Sequence, residues 1–276
     1  MTETPRIDPG AFRSFELAGW ETVAGTYADH WTSLTSQTIE SLLGVAQVTA
    51  GTTLLDVASG PGFVAAAAAE RGAAVAGLDF SPLMADLARR SYPAVHYVIG
   101  DAEALPLRDN SRAAVVMNFG MLHLARPEHA IAEALRVLRP GGRYAFTVWA
   151  TPEYAKGFAI VLKAIEEHGN PNVPLPAGPP IFRFSDADTS RAALAEAGFV
   201  DINVERLPLV WRIRTPAAIF EGMHRGTPRT GAVLRAQTPE ALAAIRAAVL
   251  ADLAAYVEAG EVRLPMPAML ASATAT

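Results

Sequence analysis

Apolar positions along the chain come in short unbroken runs, each followed by a longer segment with helical spacing. "AVAGLDF" (74–80) and "AAVVMNFG" (113–120) are apolar on both faces, as expected of parallel strands covered on both sides. The pattern predicts strands at 52–57, 74–79, 95–99, 113–119 and 142–149, with helices at 62–71, 82–91 and 127–138 between them. Strands and helices alternating in this way make a doubly wound α/β sheet with right-handed crossovers. Ahead of it, residues 11–50 read as a helical arm carrying Phe12, Phe15, Trp20, Tyr27 and Trp31.

Beyond Trp149 the rhythm changes. Residues 152–168 read as a helix, "GNPNVPLPAGPP" as a proline-rich loop, and "DTSRAALAEAGF" as a helix stopped by Gly198. A long strand pattern covers 199–213, and 216–258 reads as helix broken at Gly226–Pro228 and Thr238–Pro239. The last stretch, "EVRLPMPAMLASA", closes the sheet, its two prolines pushing it toward an edge or a bulge. This divides the chain into an arm (1–50), a core (51–150) and a remainder (151–276) whose insertions, about 151–184 and 214–259, are placed to meet a substrate.

Composition removes several classes of function. The 276 residues carry a net charge of −5 with no clustered Lys or Arg, so a nucleic-acid partner is not expected. With no cysteine there are no disulfides, thiolate nucleophiles or Cys-ligated metals, and no metal site is expected. The amino terminus is polar and lacks the apolar core of a secretory signal. No stretch approaches the ~18 apolar residues of a membrane span, so a cytoplasmic location is the expectation. Self-association is left open.

The chemistry is concentrated in "LLDVASGPGFVAAAAAERGAAVAGLDFS" (54–81), which reads as strand, tight turn, helix and strand. Gly60, Gly62 and Ala65 satisfy the G-x-G-x-x-A spacing of a dinucleotide fold, with Asp79 where an acid would hold a ribose. NAD is thus the first reading. Asp56 opposes it, because a carboxylate just before the glycines would repel a pyrophosphate coming to the helix N-terminus. A cofactor with a cationic amino-acid head would welcome it. Asp101, directly after the third strand, can accept from an exocyclic amine while the Ala102 amide donates to a ring nitrogen, together reading an adenine edge.

The segments "LLDVASGPG", "GLDFSPLMADLAR", "GDAEALPL", "AAVVMNFGMLHL" and "ALRVLRPGGRYAFTVW" stand in the order and spacing of the class I S-adenosylmethionine-dependent methyltransferases. The chain most resembles their type 11 group, which includes ubiquinone and menaquinone C-methyltransferases. The resemblance covers roughly residues 20–150. It implies a Rossmann-like, seven-stranded, mostly parallel sheet, with the arm folding over the cofactor as a lid.

It further implies that Asp56, Ala58, Gly60 and Gly62 wrap the methionine part, that Asp79 holds the ribose, and that Asp101 and Ala102 meet the adenine. Phe80 and Met84 would pack on the adenine face, Asn118 would lie beside the sulfonium, and Tyr27 would close from the arm. His123 is the candidate base, since an unperturbed histidine titrates near neutrality. Trp20, Trp149, Phe158, Phe182, Trp211, Phe220, Met223, His224 and Arg225 are the candidates for the substrate region. The expected activity is methyl transfer to oxygen or carbon of a mostly apolar small molecule, a specialised metabolite or quinone-like ring. A cyclase or rearrangement enzyme of the same fold is the first alternative, and an NAD(P)-dependent oxidoreductase the second.

Overall fold

The computed structural model describes residues 7–276; the first six residues of the expected arm lie outside them. Helix α1 (Pro9–Thr35) starts on Asp8, whose carboxylate accepts from the Gly10 and Ala11 amides, and α2 (Ile39–Val45) follows a short 3₁₀ turn. The core then runs β1 (Thr53–Val57), α3 (Phe63–Glu70), β2 (Ala74–Asp79), α4 (Pro82–Ser91), β3 (His96–Ile99), β4 (Arg112–Asn118), α5 (Pro127–Val137) and β5 (Leu138–Trp149). After it come α6 (Lys156–His168), α7 (Ala187–Ala197), β6 (Val200–Leu207), β7 (Val210–Ile213), α8 (Pro216–Arg225), α9 (Arg229–Arg235), α10 (Pro239–Leu253), β8 (Val257–Glu258), β9 (Glu261–Pro265) and β10 (Ala268–Thr274).

The main sheet has seven strands in the order β3-β2-β1-β4-β5-β10-β6. The first five are parallel, and β10 runs antiparallel to both neighbours. Alternate residues of each strand face opposite layers. Leu55, Val115, Met117, Tyr144 and Phe146 pack under α5 and α7, whereas Leu54, Ala114, Val116 and Ala145 pack under α2 and α3. The order reverses between β1 and β4, so their carboxyl ends open a crevice, the position where doubly wound sheets bind ligands.

Two sequence expectations fail in the last third. The strand pattern at 199–213 is two strands in different sheets, because Pro208 interrupts it. The closing strand is not an edge: β10 sits between β5 and β6. Pro265 ends β9 and Pro267 lies in the link to β10, so neither proline falls within the inner strand.

The sequence pattern also gave no sign of the small sheet β7-β9-β8. That sheet joins α1, α6, α8, α9 and α10 around Trp31, Trp149, Phe158, Trp211 and Phe220 in one buried apolar cluster. Helix α1 and the elements after β5 therefore share one interior, a cap beside the crevice. No helix among the described residues is long and apolar enough to cross a membrane.

Candidate active site

The loop after β1 lines a cleft of about 1000 Å³, open mouth included, at the carboxyl ends of β1, β2 and β4. Its backbone is strained toward the opening. Ala58 and Phe119, the residues following β1 and β4, both hold positive φ (53° and 55°), a conformation non-glycine residues adopt at a cost and which gathers at functional sites. Gly60 (φ 51°) has open space where a Cβ would stand. Gly62 does not line the cleft, contrary to expectation. Its φ of 90° closes the turn against Tyr97, whose Cζ would lie 2.9 Å from an added Cβ. Gly62→Ala is accordingly expected to lose about 2 kcal/mol or more in denaturant unfolding, from backbone strain and overpacking together.

Three carboxylates ring the cleft. Asp56 is buried; one oxygen accepts from the Ala65 amide at 3.0 Å, while Oδ1 has no partner. Burial, with the nearby Asp79 charge adding to it, pushes Asp56 up to about 8. A buried carboxyl with an orphaned oxygen calls for a cation or a hydrogen-bond donor. Asp79 accepts from the Gly60 and Ser81 amides at 2.8 and 2.9 Å, and burial raises it to about 6. It is thus tied to the turn and to the start of α4, partners the sequence did not announce. Asp101 accepts from the Glu103 amide at 2.9 Å and pairs with Arg13 Nε of α1 at 3.0 Å.

Phe80, Met84 and Ala102 line the same cleft. Asn118 lines it too, but its side chain is committed elsewhere. Its oxygen accepts from Thr38 and Thr147, and its amide donates to the Thr35 carbonyl, pinning the end of β4 to β5 and the arm.

A second cavity of about 510 Å³ adjoins the first, and Trp20, Tyr27, Phe119 and His123 line both. Trp31, Trp149 and Phe158 form its aromatic side, and Arg229 and Thr230 its polar one. His123 Nδ1 lies 2.8 Å from Glu16 Oε2, and Trp20 stands edge-on to the imidazole with ring centroids 4.8 Å apart. Desolvation pushes the Tyr27 phenol up to about 12.

Several residues expected near the substrate are elsewhere. Trp211, Phe220 and Met223 are wholly buried in the cap, because α8 turns its apolar face inward onto α1 and β7. Phe182 packs edge-on against Phe158 behind the wall, leaving its neighbour Ile181 to line the cavity. His224 and Arg225 sit at the carboxyl end of α8, outside both cavities. Their carbonyls accept from Arg235 and Thr26, and burial lowers the His224 imidazole.

Arg13, Glu16 and Arg229 were missed. For Glu16 a signal was available: it interrupts the stripe Phe12, Trp20, Val23, Tyr27, Trp31 at helical spacing, and an acid inside such a stripe is buried with its charge. Arg229 follows a turn, and nothing local marks it.

Comparison with known proteins agrees with this geometry. A family described as "Methyltransferase domain" matches residues 55–146. A demethylmenaquinone methyltransferase of Renibacterium salmoninarum is 32% identical over 166 residues, 57% of this chain and 70% of that protein. A malonyl-[acyl-carrier protein] O-methyltransferase of Serratia marcescens is 36% identical over 127 residues, 46% of this chain and 49% of that one. In fold, the chain is similar to a Haemonchus contortus phosphoethanolamine N-methyltransferase solved with S-adenosylhomocysteine. The TM-score is 0.58 at 20% identity, covering 96% of this chain and 60% of that one. The crevice at the β1–β4 reversal, its acids on three successive strand ends and these likenesses agree, and the chain belongs to the class I S-adenosylmethionine-dependent methyltransferases.

Proposed function

We propose that the enzyme methylates oxygen or carbon of an aromatic, quinone-like small molecule held in the second cavity. The observation that carries this reading is the shared wall. An aromatic chamber lined by Trp31, Trp149 and Phe158 meets the cofactor cleft at His123 and Phe119, and mostly apolar chambers with few polar groups suit ring-shaped ligands. The demethylmenaquinone methyltransferase name of the relatives points the same way.

In this reading Asp56 Oδ1 receives the cofactor's ammonium and Asp79 its ribose hydroxyls. Asp101 and Ala102 face the adenine, with Phe80 and Met84 on its flat sides. The orphaned oxygen of Asp56 and the open space beside Gly60 fit such a group. Bound S-adenosylmethionine supplies a methyl already activated by a positive sulfur. The chain's own task is to align the acceptor and exclude water, where positioning is worth up to about 7–11 kcal/mol. The cap supplies the walls for both.

Titration calorimetry with S-adenosylmethionine, S-adenosylhomocysteine, NAD and NADP tests the assignment. The sulfur pair is expected to bind in the micromolar range and neither dinucleotide to bind. Because Asp56 is held near 8 in the free protein, it is protonated at pH 7 and must ionise to meet an ammonium. Binding then releases a proton, and affinity rises from pH 6 to 8 before levelling. Heats measured in buffers of different ionisation enthalpy read the release directly, and Asp56→Asn should abolish it. Tight binding with no proton exchange, together with unchanged affinity in Asp56→Asn, would remove Asp56 from the ammonium site.

A further inference from the structure

Glu16 lies two turns into α1, fully buried, and its contacts are not those of a lid that only packs. Oε2 meets His123 Nδ1 at 2.8 Å; Oε1 has no hydrogen-bond partner, and its nearest charge is Arg229 Nε at 3.8 Å. Arg229 is anchored by donating from Nη1 to the Pro179 carbonyl and lies over the Phe12 ring at 5.2 Å. Arm, β4 loop and α9 thus converge on one buried charged cluster at the wall between the two cavities. A buried carboxylate is costly unless paired, so this cluster has a purpose that apolar packing would not require.

We propose that Glu16 is a positioning residue for His123, and that the pair specifies an acceptor whose reacting group is an aromatic hydroxyl. This rests on the function proposed above. With Glu16 ionised and His123 neutral, the carboxylate accepts from Nδ1–H and leaves Nε2 as the accepting nitrogen. The 3₁₀ turn that carries His123 is held by its amide donating to the Gly120 carbonyl at 3.0 Å, and Trp20 bounds the ring edge-on.

The step balances without any further reactant. The hydroxyl oxygen forms the new O–CH₃ bond, the S–CH₃ bond breaks with its pair going to sulfur, and the hydroxyl proton passes to Nε2. The imidazolium so formed lies against the Glu16 carboxylate. Because Glu16 comes from α1, the base is oriented only when the arm is seated over the cofactor. His123 is then the catalytic residue, and Glu16 acts through it.

The test uses Glu16→Gln and His123→Gln in the full chain, with a series of substituted phenols and hydroquinones of falling acidity constant as acceptors. Glu16→Gln is expected to lower kcat about 10-fold and His123→Gln about 100-fold or more, with KM and S-adenosylmethionine affinity within about threefold of wild type. The losses should shrink toward none for nitro-substituted phenols already ionised at the assay pH, a dependence that a packing defect would not produce. Imidazole ¹⁵N spectra of the unliganded protein should report His123 protonated on Nδ1, and Glu16→Gln should mix the tautomers.

Equal losses across the whole series, or a wild-type His123 protonated on Nε2, would overturn the proposal. If the wild type binds S-adenosylmethionine yet methylates no ring acceptor, the function proposed above fails instead. The spectra still decide whether Glu16 orients His123.

Discussion

Asp79→Ala is expected to weaken S-adenosylmethionine binding at least about tenfold, since hydrogen bonds to a charged acceptor contribute about 1.5–3 kcal/mol. The structure adds a second consequence. The same carboxylate accepts from the Gly60 and Ser81 amides, so truncation strands two donors at the start of the site, at about 1–3 kcal/mol for each one left buried. The alanine variant should therefore also melt earlier, and its weak binding is partly a loosened turn. Asp79→Asn keeps one oxygen and the side-chain volume while removing the charge. It should retain more of the stability and still lose about tenfold in affinity. Calorimetry paired with thermal unfolding separates the two effects. Unchanged affinity in a folded Asn variant would take Asp79 out of the ribose site.

The largest effect on stability is expected at Trp31. Its ring is 2% exposed and lies 4.5 Å from Trp211, 5.7 Å from Trp149 and 6.4 Å from Phe158, while its indole N–H donates to the Gly222 carbonyl at 3.0 Å. Trp31→Ala removes the centre of the cap and one of the two hydrogen bonds that the Gly222 carbonyl accepts, a cost of about 3–5 kcal/mol. In a chain of this size that corresponds to a fall of about 5–10 °C in Tm. Trp31 joins α1 to α8 and β7, so the cap should loosen before the sheet, splitting one unfolding transition into two. A single transition within about 2 °C of wild type would mean that the arm contributes little to the cap's stability.

The cofactor half of the molecule was legible along the chain because its signals are local. Strand, turn and helix between Leu54 and Ser81 follow from runs of apolar residues and two glycines within one short window. Asp56, Asp79 and Asp101 could be placed at strand ends by counting, and the cleft does gather them. The packing of Gly62 against Tyr97 was not legible, because that neighbour stands 35 residues away. The partners of Asn118 are likewise distant, on α1, the 3₁₀ turn after it and β5.

The sequence by itself determined the doubly wound sheet, the positions of its five parallel strands and the run of acids at their ends. These depend on hydrophobic period and turn chemistry, which act over a few residues. Only the tertiary structure decided which aromatics are walls and which are core. Trp149 faces a cavity, whereas Trp211 and Phe220 are buried, although all three stand in similar apolar stretches. It also decided that Glu16, His123 and Arg229, spread over 213 positions of sequence, form one charged cluster. Such a cluster exists because three elements close over a shared interior, where an unpaired charge is too costly to leave, and no local pattern in the chain records which charges will meet there.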